Sequence, residues 1–348
     1  MLLAWGHSHR TATDAELIRW GTDIARVEGS VDGEELEVAL VRPGSPAAAG
    51  GGRKRIRVNG VPRRAASLAS TIRVVVFAPE EMLLVAGSPS LRRTALDRIA
   101  AGRFPAYGAA LATYTRALQQ RNGLLRAIRE ETADRGQLRY WDQPFIDAGA
   151  EVVDARLRVL AELAGPLRAA HAEIAPDEGL DAGLSLRYLT NAPPHAGETP
   201  REALERRLGE TAEKEAWNGT TLIGPHRDDL GFVLDERDLA GFASRGQQRT
   251  AILAFKLAEL DLLTSLDGRP PILLLDDVFS ELDPDRRSHL VRRIAALPQA
   301  FVTTTTLDDL DPALLAIADT WRVDPAGGTT LSGPTRAARP VAEHGSRP

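Results

Sequence analysis

Apolar and polar residues alternate along three short runs near the start of the chain, at 24–30, 35–42 and 53–59. Asp32-Gly33 follows the first run and Asn59-Gly60 closes the third. A two-residue period puts successive side chains on opposite faces of a strand, and Asp-Gly and Asn-Gly favour tight hairpin turns. An antiparallel β region is therefore expected before residue 80. Residues 43–52 form a Pro/Ala/Gly-rich loop between two of its strands. The run 71–77 is mostly apolar, as expected of a buried strand.

From Pro89 the period lengthens to that of a helix. Leu111, Tyr114, Leu118, Leu125 and Ile128 lie near one stripe, and 134–136 breaks the pattern. A second helix is expected over 144–171, with Val153, Leu157, Leu160, Leu163 and Leu167 on one side. Two long helices joined by a short break fit an antiparallel arm, and they fit a pair of core helices equally well. After residue 221 strands alternate with helices, which predicts an α/β sheet with parallel strands. The last strand is expected at 321–323. Beyond Asp324 the chain is rich in Gly, Pro, Ser, Thr and Arg, and disorder is expected.

Composition narrows the class. The 348 residues are 43% hydrophobic and 26% charged, enough for a sizeable core in two domains or lobes. The net charge of -5 does not by itself call for nucleic acid, so DNA contact would need local basic patches. With no cysteine there is neither a disulfide framework nor a cysteine zinc site, and the seven histidines show no metal-ligand spacing. The apolar start, residues 1–5, is too short for a signal segment, and no run of about 18 apolar residues occurs. A soluble, cytoplasmic protein is expected.

Candidate chemistry gathers between Ser244 and Asp283. The apolar stretch 272–275 ends in Asp276 and Asp277, at the carboxyl end of a strand, where α/β folds place ligands. One carboxylate there suits magnesium and the next a water-orienting role in phosphoryl transfer, although Asp also commonly ends strands. Ser244, Arg245, Gly246 and Gln247 open a helix. Ser and Gln three apart form a capping box, while glycine at a helix N-terminus also lets a phosphate approach backbone N–H groups. Ser280 and Asp283 enter the next helix, with Asp283 as its cap and Pro284 at its first position. A metal nuclease built on Asp276 and Asp277 lacks further evident acidic ligands. Arg53, Lys54, Arg55, Arg57, Arg63 and Arg64 cluster on a hairpin. They suit duplex phosphates, or equally an edge strand protected by charge. Arg92, Arg93, Arg116 and Arg121 read more readily as solvated helix positions.

Read together, these blocks resemble the RecF family, ABC-type ATPases related to the SMC proteins. The matching stretches are S-H-R-T at 8–11, V-N-G at 58–60, F-A-P-E-E at 77–81, G-S-P-S-L-R-R at 87–93 and Q-Q-R-N at 119–122. Further on they are G-P-H-R-D-D-L at 224–230, S-R-G-Q-Q-R-T at 244–250, L-L-L-D-D-V-F-S-E-L-D at 273–283 and F-V-T-T-T at 301–305. The resemblance implies an α/β ABC-type ATPase head, a P-loop NTPase-like sheet with an antiparallel β edge, plus a helical arm. It divides the chain into lobe I at 1–95, arm and lobe II at 96–200, an ATPase core at 201–324 and a tail at 325–348.

By the same resemblance, Ser244, Arg245, Gly246 and Gln247 are the signature that meets ATP in a partner subunit. Asp276 is the Walker B magnesium residue, Asp277 holds the catalytic position, and Ser280 and Asp283 form the D-loop. Glu80 and Glu81 stand where relatives sense the metal. No imidazole role is expected at Thr304 and Thr305, where many relatives carry a switch histidine. The implied cofactors are ATP and Mg²⁺. The implied partners are DNA, RecR with the RecO and RecA pathway, and a second copy joined on ATP, in recombinational repair and the SOS response. Other SMC- or ABC-type ATPases are the alternative, against which the absence of long heptads argues. No role follows for 226–229 beyond a charged turn or an interlobe or nucleotide-proximal network.

One departure matters. No G-x-x-x-x-G-K-[ST] occurs in the 348 residues. In the family this loop precedes the S-H-R segment by one helix, whose end Leu2, Leu3 and Trp5 resemble, so it is expected about a dozen residues upstream of Met1. Micromolar ATP binding needs about -8 kcal/mol. A phosphate loop supplies several charge-assisted hydrogen bonds at roughly 1.5–3 kcal/mol each. These residues alone are expected neither to bind ATP tightly nor to hydrolyse it, which leaves a DNA- or partner-binding remnant as the competing reading.

Overall fold

The computed structural model describes residues 1–8, 11, 13–50, 53–65, 68–178, 183–324 and 330–335. His9 and Arg10 of the S-H-R-T stretch, and the tail at 325–329 and 336–348, lie outside the described residues. The chain forms two compact units: Met1–Val75 with Glu80–Pro271, and Val76–Pro79 with Ile272–Pro348. The β region, the long helices and the signature segment thus share one unit, and the Asp276-Asp277 strand belongs to the other.

The first unit opens with the short helix α1 (Leu2–Trp5), ended by Gly6 in the left-handed region. Then comes the antiparallel meander β1 (Ile24–Val31), β2 (Glu34–Val41), β3 (Lys54–Val58) and β4 (Val61–Pro62). Asp32, Gly33, Asn59 and Gly60 all have positive φ, as two-residue hairpin turns require. The alternation seen in the sequence decides the faces. Leu36, Val38, Leu40, Ile56 and Val58 are buried together with Ile18 and Leu68, and Leu2 and Leu3 pack against them. After α2 (Leu68–Thr71) and the fully buried β5 (Val74–Phe77), whose last two residues belong to the second unit, come α3 (Pro89–Arg103), α4 (Tyr107–Arg129) and α5 (Arg139–Ile174). The unit continues through β6 (Leu184–Leu189), α6 (Pro200–Asn218), β7 (Asp229–Leu234), β8 (Arg237–Asp238), α7 (Leu239–Phe242) and α8 (Arg245–Ser265).

The choice between arm and core helices is resolved for α5. It packs against α4, α6, β6 and, as extensively as against α4, the signature helix α8. It is therefore a central core helix. Its buried stripe also differs from the expected one: Leu157 is 40% exposed while Arg156 is buried at 2%. On α4 the buried positions are Tyr107, Ala110, Tyr114, Ala117, Arg121, Leu125 and Ile128, so Arg121 occupies a core position. A buried guanidinium is tolerated only when its charge and donors are matched, and both arginines are matched, as described below.

In the second unit β9 (Ile272–Asp276) pairs parallel with β10 (Ala300–Thr303), in the sheet order β10–β9–β5. Helix α9 (Pro284–Ala295) lies on the connection between the parallel pair. Burial along β9 alternates, with Leu273 and Leu275 buried and Ile272 and Leu274 half-buried, so this strand is not covered equally on both faces. After α10 (Pro312–Ile317), β11 (Thr320–Asp324) pairs antiparallel with β12 (Thr330–Thr335). The strand expected to be last is thus followed by another. Residues 330–335, read as part of a disordered tail, form a strand in which Leu331 stands in register with Val323. A loop-like composition does not reveal such a pairing.

Candidate nucleotide site

The acidic pair sits where β9 ends. Asp276 is the last residue of the strand and lies in register with Thr303 on β10. The Thr303 hydroxyl donates to Asp276 Oδ1 at 2.6 Å. Asp277 adopts φ 54, a left-handed conformation that Asp reaches more readily than most side chains, and its N–H donates to the Thr303 carbonyl at 3.1 Å. The chain turns out of the sheet at that residue. Among the described residues, the buried Asp277 Oδ1 has no hydrogen-bond partner. Among the described residues no group of three or more His, Cys, Asp or Glu is placed to hold a metal. Two carboxylates suit Mg²⁺, which keeps waters and takes its other oxygens from phosphates.

The loop after the pair is anchored by buried Val278, Phe279 and Leu282. Ser280 is exposed, and its hydroxyl donates to the Asp277 carbonyl at 3.0 Å. Asp283 caps α9 by accepting from the Arg286 N–H at 3.0 Å and pairs with the Arg286 guanidinium. Burial works to raise its carboxyl, but the Arg286 N–H and guanidinium outweigh this and hold it below the usual range.

In the other unit the signature segment begins α8. Ser244 and Gln247 form a reciprocal capping box, with hydrogen bonds of 3.0 and 3.2 Å. Ser244, Arg245 and Gly246 are exposed, whereas 250–260 is buried on every side. A methyl group added at Gly246 would meet only Ser244 Oγ, at 3.7 Å, so the space over this helix end is open. Helix capping thus explains Ser244 and Gln247, and the openness at Gly246 is what capping does not explain.

The G-P-H-R-D-D-L stretch is not a solvated charged turn. Gly224 has φ +114, and a methyl there would come within 2.6 Å of the Tyr114 hydroxyl and 2.9 Å of the Phe145 ring. Tyr114 bonds His226 Nδ1 at 2.6 Å. Burial lowers the His226 pKa to about 4, with Arg227 as the next contributor. Asp228, 1% exposed, accepts from Tyr188 at 2.7 Å, and its backbone carbonyl accepts from Arg93 at 2.9 Å. Asp229 takes a bidentate pair from Arg92 at 2.8 and 2.7 Å. Arg156 reaches Asp97 at 2.8 Å and the Pro225 carbonyl at 2.7 Å. The Q-Q-R-N stretch joins the same region: Arg121 pairs with Asp142 and Glu215, and Asn122 Oδ1 accepts the Thr221 N–H at 2.7 Å. Arg92 and Arg121, read as solvated helix positions, are therefore buried and Arg93 is half-buried; only Arg116 of that set is exposed. Buried charged residues that the sequence pattern did not single out include Arg156, Glu215, Lys256 and Glu259. For Arg121 the one available signal was its seven-residue spacing from Tyr114 on the apolar stripe.

Glu81 bonds Lys256 at 2.6 Å and Arg98 at 3.0 Å, and these cations outweigh burial and lower its pKa; Glu80 is exposed. The basic hairpin also divides. Lys54 pairs with Asp14 at 2.8 Å and donates to the Gly6 carbonyl. Arg55 donates to the Ala47 carbonyl, and Arg57 lies 3.6 Å from Glu37, its register partner. Arg53, Arg63 and Arg64 are exposed at the ends of the hairpin.

No protein-family model matches the chain. It is 39% identical over 328 residues to the DNA replication and repair protein RecF of Heliobacterium modesticaldum, covering 92% of this chain and 86% of that protein. Against the RecF of Bacillus subtilis it is 37% identical over 331 residues, with the same coverages. The chain belongs to the RecF family. Its structure matches that of the recombination mediator protein RecF-ATPrS in the RecFOR pathway, with a TM-score of 0.78 and 30% identity over 89% of this chain and 82% of that one. The RecF-ATP structure gives 0.77 and 29% over 88% and 81%. The fold is therefore the ABC-type ATPase head of RecF, and the family is one of DNA replication and repair. Among the described residues, no helix is long and apolar enough to cross a membrane.

Proposed function

We propose that this RecF-type chain is a cytoplasmic DNA-repair subunit. It would bind gapped or single-stranded DNA, pair with a second copy on ATP, and act with RecR, in the RecO and RecA pathway, to help load RecA in recombinational repair and the SOS response. The observation that carries this reading is the RecF fold at 37–39% identity, together with the intact series Ser244–Gln247, Asp276, Asp277, Ser280 and Asp283.

Asp276 would hold Mg²⁺, and Asp277 would orient the attacking water. Ser244, Gly246 and the free N–H groups of α8 would face the phosphates held by a partner, with Arg245 and Gln247 beside them; Ser280 and Asp283 would line the same interface. Bound Mg²⁺ supplies charge neutralisation between the phosphates. The phosphate cradle itself is not among these 348 residues, so the second reading, binding to DNA or partners without tight ATP binding of its own, keeps a specific basis.

DNA contact would fall to Arg53, Arg63 and Arg64, which are exposed at the ends of the hairpin, rather than to Lys54, Arg55 and Arg57, which lie within β3. The test is binding of a gapped duplex across a salt series. Replacing the three exposed arginines by glutamate is expected to lower affinity at least tenfold and to reduce the slope of log K against log salt by roughly 0.9 per lost phosphate contact. An unchanged slope would remove the hairpin from the DNA surface.

A further inference from the structure

We propose that Thr303 is a positioning residue that orients the Asp276 carboxylate and holds the backbone turn at Asp277; this rests on reading Asp276 as the magnesium residue. Thr303 is the last residue of β10 and lies in parallel register opposite Asp276. Its two polar groups are divided between the pair. The hydroxyl donates to Asp276 Oδ1 at 2.6 Å, and the carbonyl accepts the Asp277 N–H at 3.1 Å. The first bond limits rotation of the Asp276 carboxylate. The second supports the left-handed turn at Asp277, whose Oδ1 stays buried without a partner.

The threonines of 303–306 are not equivalent. Thr304 turns its hydroxyl to the Thr306 carbonyl at 2.7 Å, and Thr306 caps the next turn by accepting from the Asp308 N–H. A hydroxyl bonded to a metal-holding carboxylate acts as an outer-shell partner. Loss of such partners typically weakens metal binding about 10–100-fold.

The test uses Mn²⁺ with ATP as the probe, with water-proton relaxation reporting the metal's affinity for the 348 residues preceded by the phosphate-loop segment of a RecF relative. Thr303→Val keeps the side-chain shape and the backbone carbonyl while removing the hydroxyl. Thr303→Ser keeps the hydroxyl and loses the methyl. Thr304→Val is the control, and circular dichroism checks that each variant is folded. The expected result is a loss of about 10–100-fold in Mn²⁺ affinity for Thr303→Val, near-normal binding for Thr303→Ser, and no change for Thr304→Val. A purely structural role would penalise Ser as well as Val. Normal binding by Thr303→Val, with binding lost in Asp276→Asn, overturns the proposal and leaves the magnesium reading standing. Wild-type Mn²⁺ binding that is absent, or that survives in Asp276→Asn, overturns both.

Discussion

His226 sits against Tyr114 and Phe145, with Arg227, Arg93 and Arg121 near enough to disfavour its protonation. Burial is the largest cause, and the pKa falls from 6.5 to about 4. The ring lies 2.6 Å from the Tyr114 hydroxyl through Nδ1, and protonation places a charge in this buried site. A depressed histidine stabilises the fold fully above its unfolded pKa. That contribution fades as pH falls from about 6.5 towards 4, and it corresponds to roughly 3 kcal/mol at full size. Urea unfolding at pH 7 and pH 4.5 should therefore show a large loss for the wild type and a smaller loss for His226→Gln. Equal losses would remove His226 as the cause. The motif was legible in the sequence, but its meaning was not. A run of charged residues gives no sign that Gly224 must turn with positive φ beneath Tyr114, or that Asp228 and Asp229 each find a partner far along the chain.

Helix ends were more legible than helix faces. Thr199 and Ser244 each begin a box whose second member lies three residues on, and both boxes form. Local hydrogen bonds of this kind depend only on neighbours in the chain. The faces of α4 and α5 were displaced because Arg121 and Arg156 fill core positions through ion pairs that the apolar pattern does not display. The two caps also separate structure from function. Thr199→Ala and Ser244→Ala should each lower stability by about 1 kcal/mol, read from denaturant midpoints. Only Ser244→Ala should also weaken ATP-dependent association with a RecF subunit that carries a phosphate loop, read by analytical ultracentrifugation. Equal association by both variants would reduce the Ser244 box to a cap.

In the proposed function the two compact units would carry different parts of the ATP chemistry. One presents the signature at the open end of α8, and the other presents Asp276 and Asp277 beside Thr303. The parallel β9–β10 pair and the early meander followed from the sequence, since alternation and carboxyl-end aspartates are local signals. The β11–β12 pairing and the central place of α5 depend on long-range packing, and no local pattern showed them. Under the proposed function, tight ATP binding would require a phosphate loop in addition to these residues. The direct measurement is equilibrium binding of a fluorescent ATP analogue, with magnesium, to these 348 residues and to the same residues preceded by the phosphate-loop segment of a RecF relative. The prediction is a Kd weaker than about 1 mM for the first and near 1 μM for the second, a gain of roughly 4 kcal/mol, with Asp276→Asn weakening the second. Micromolar binding by the 348 residues alone would contradict it.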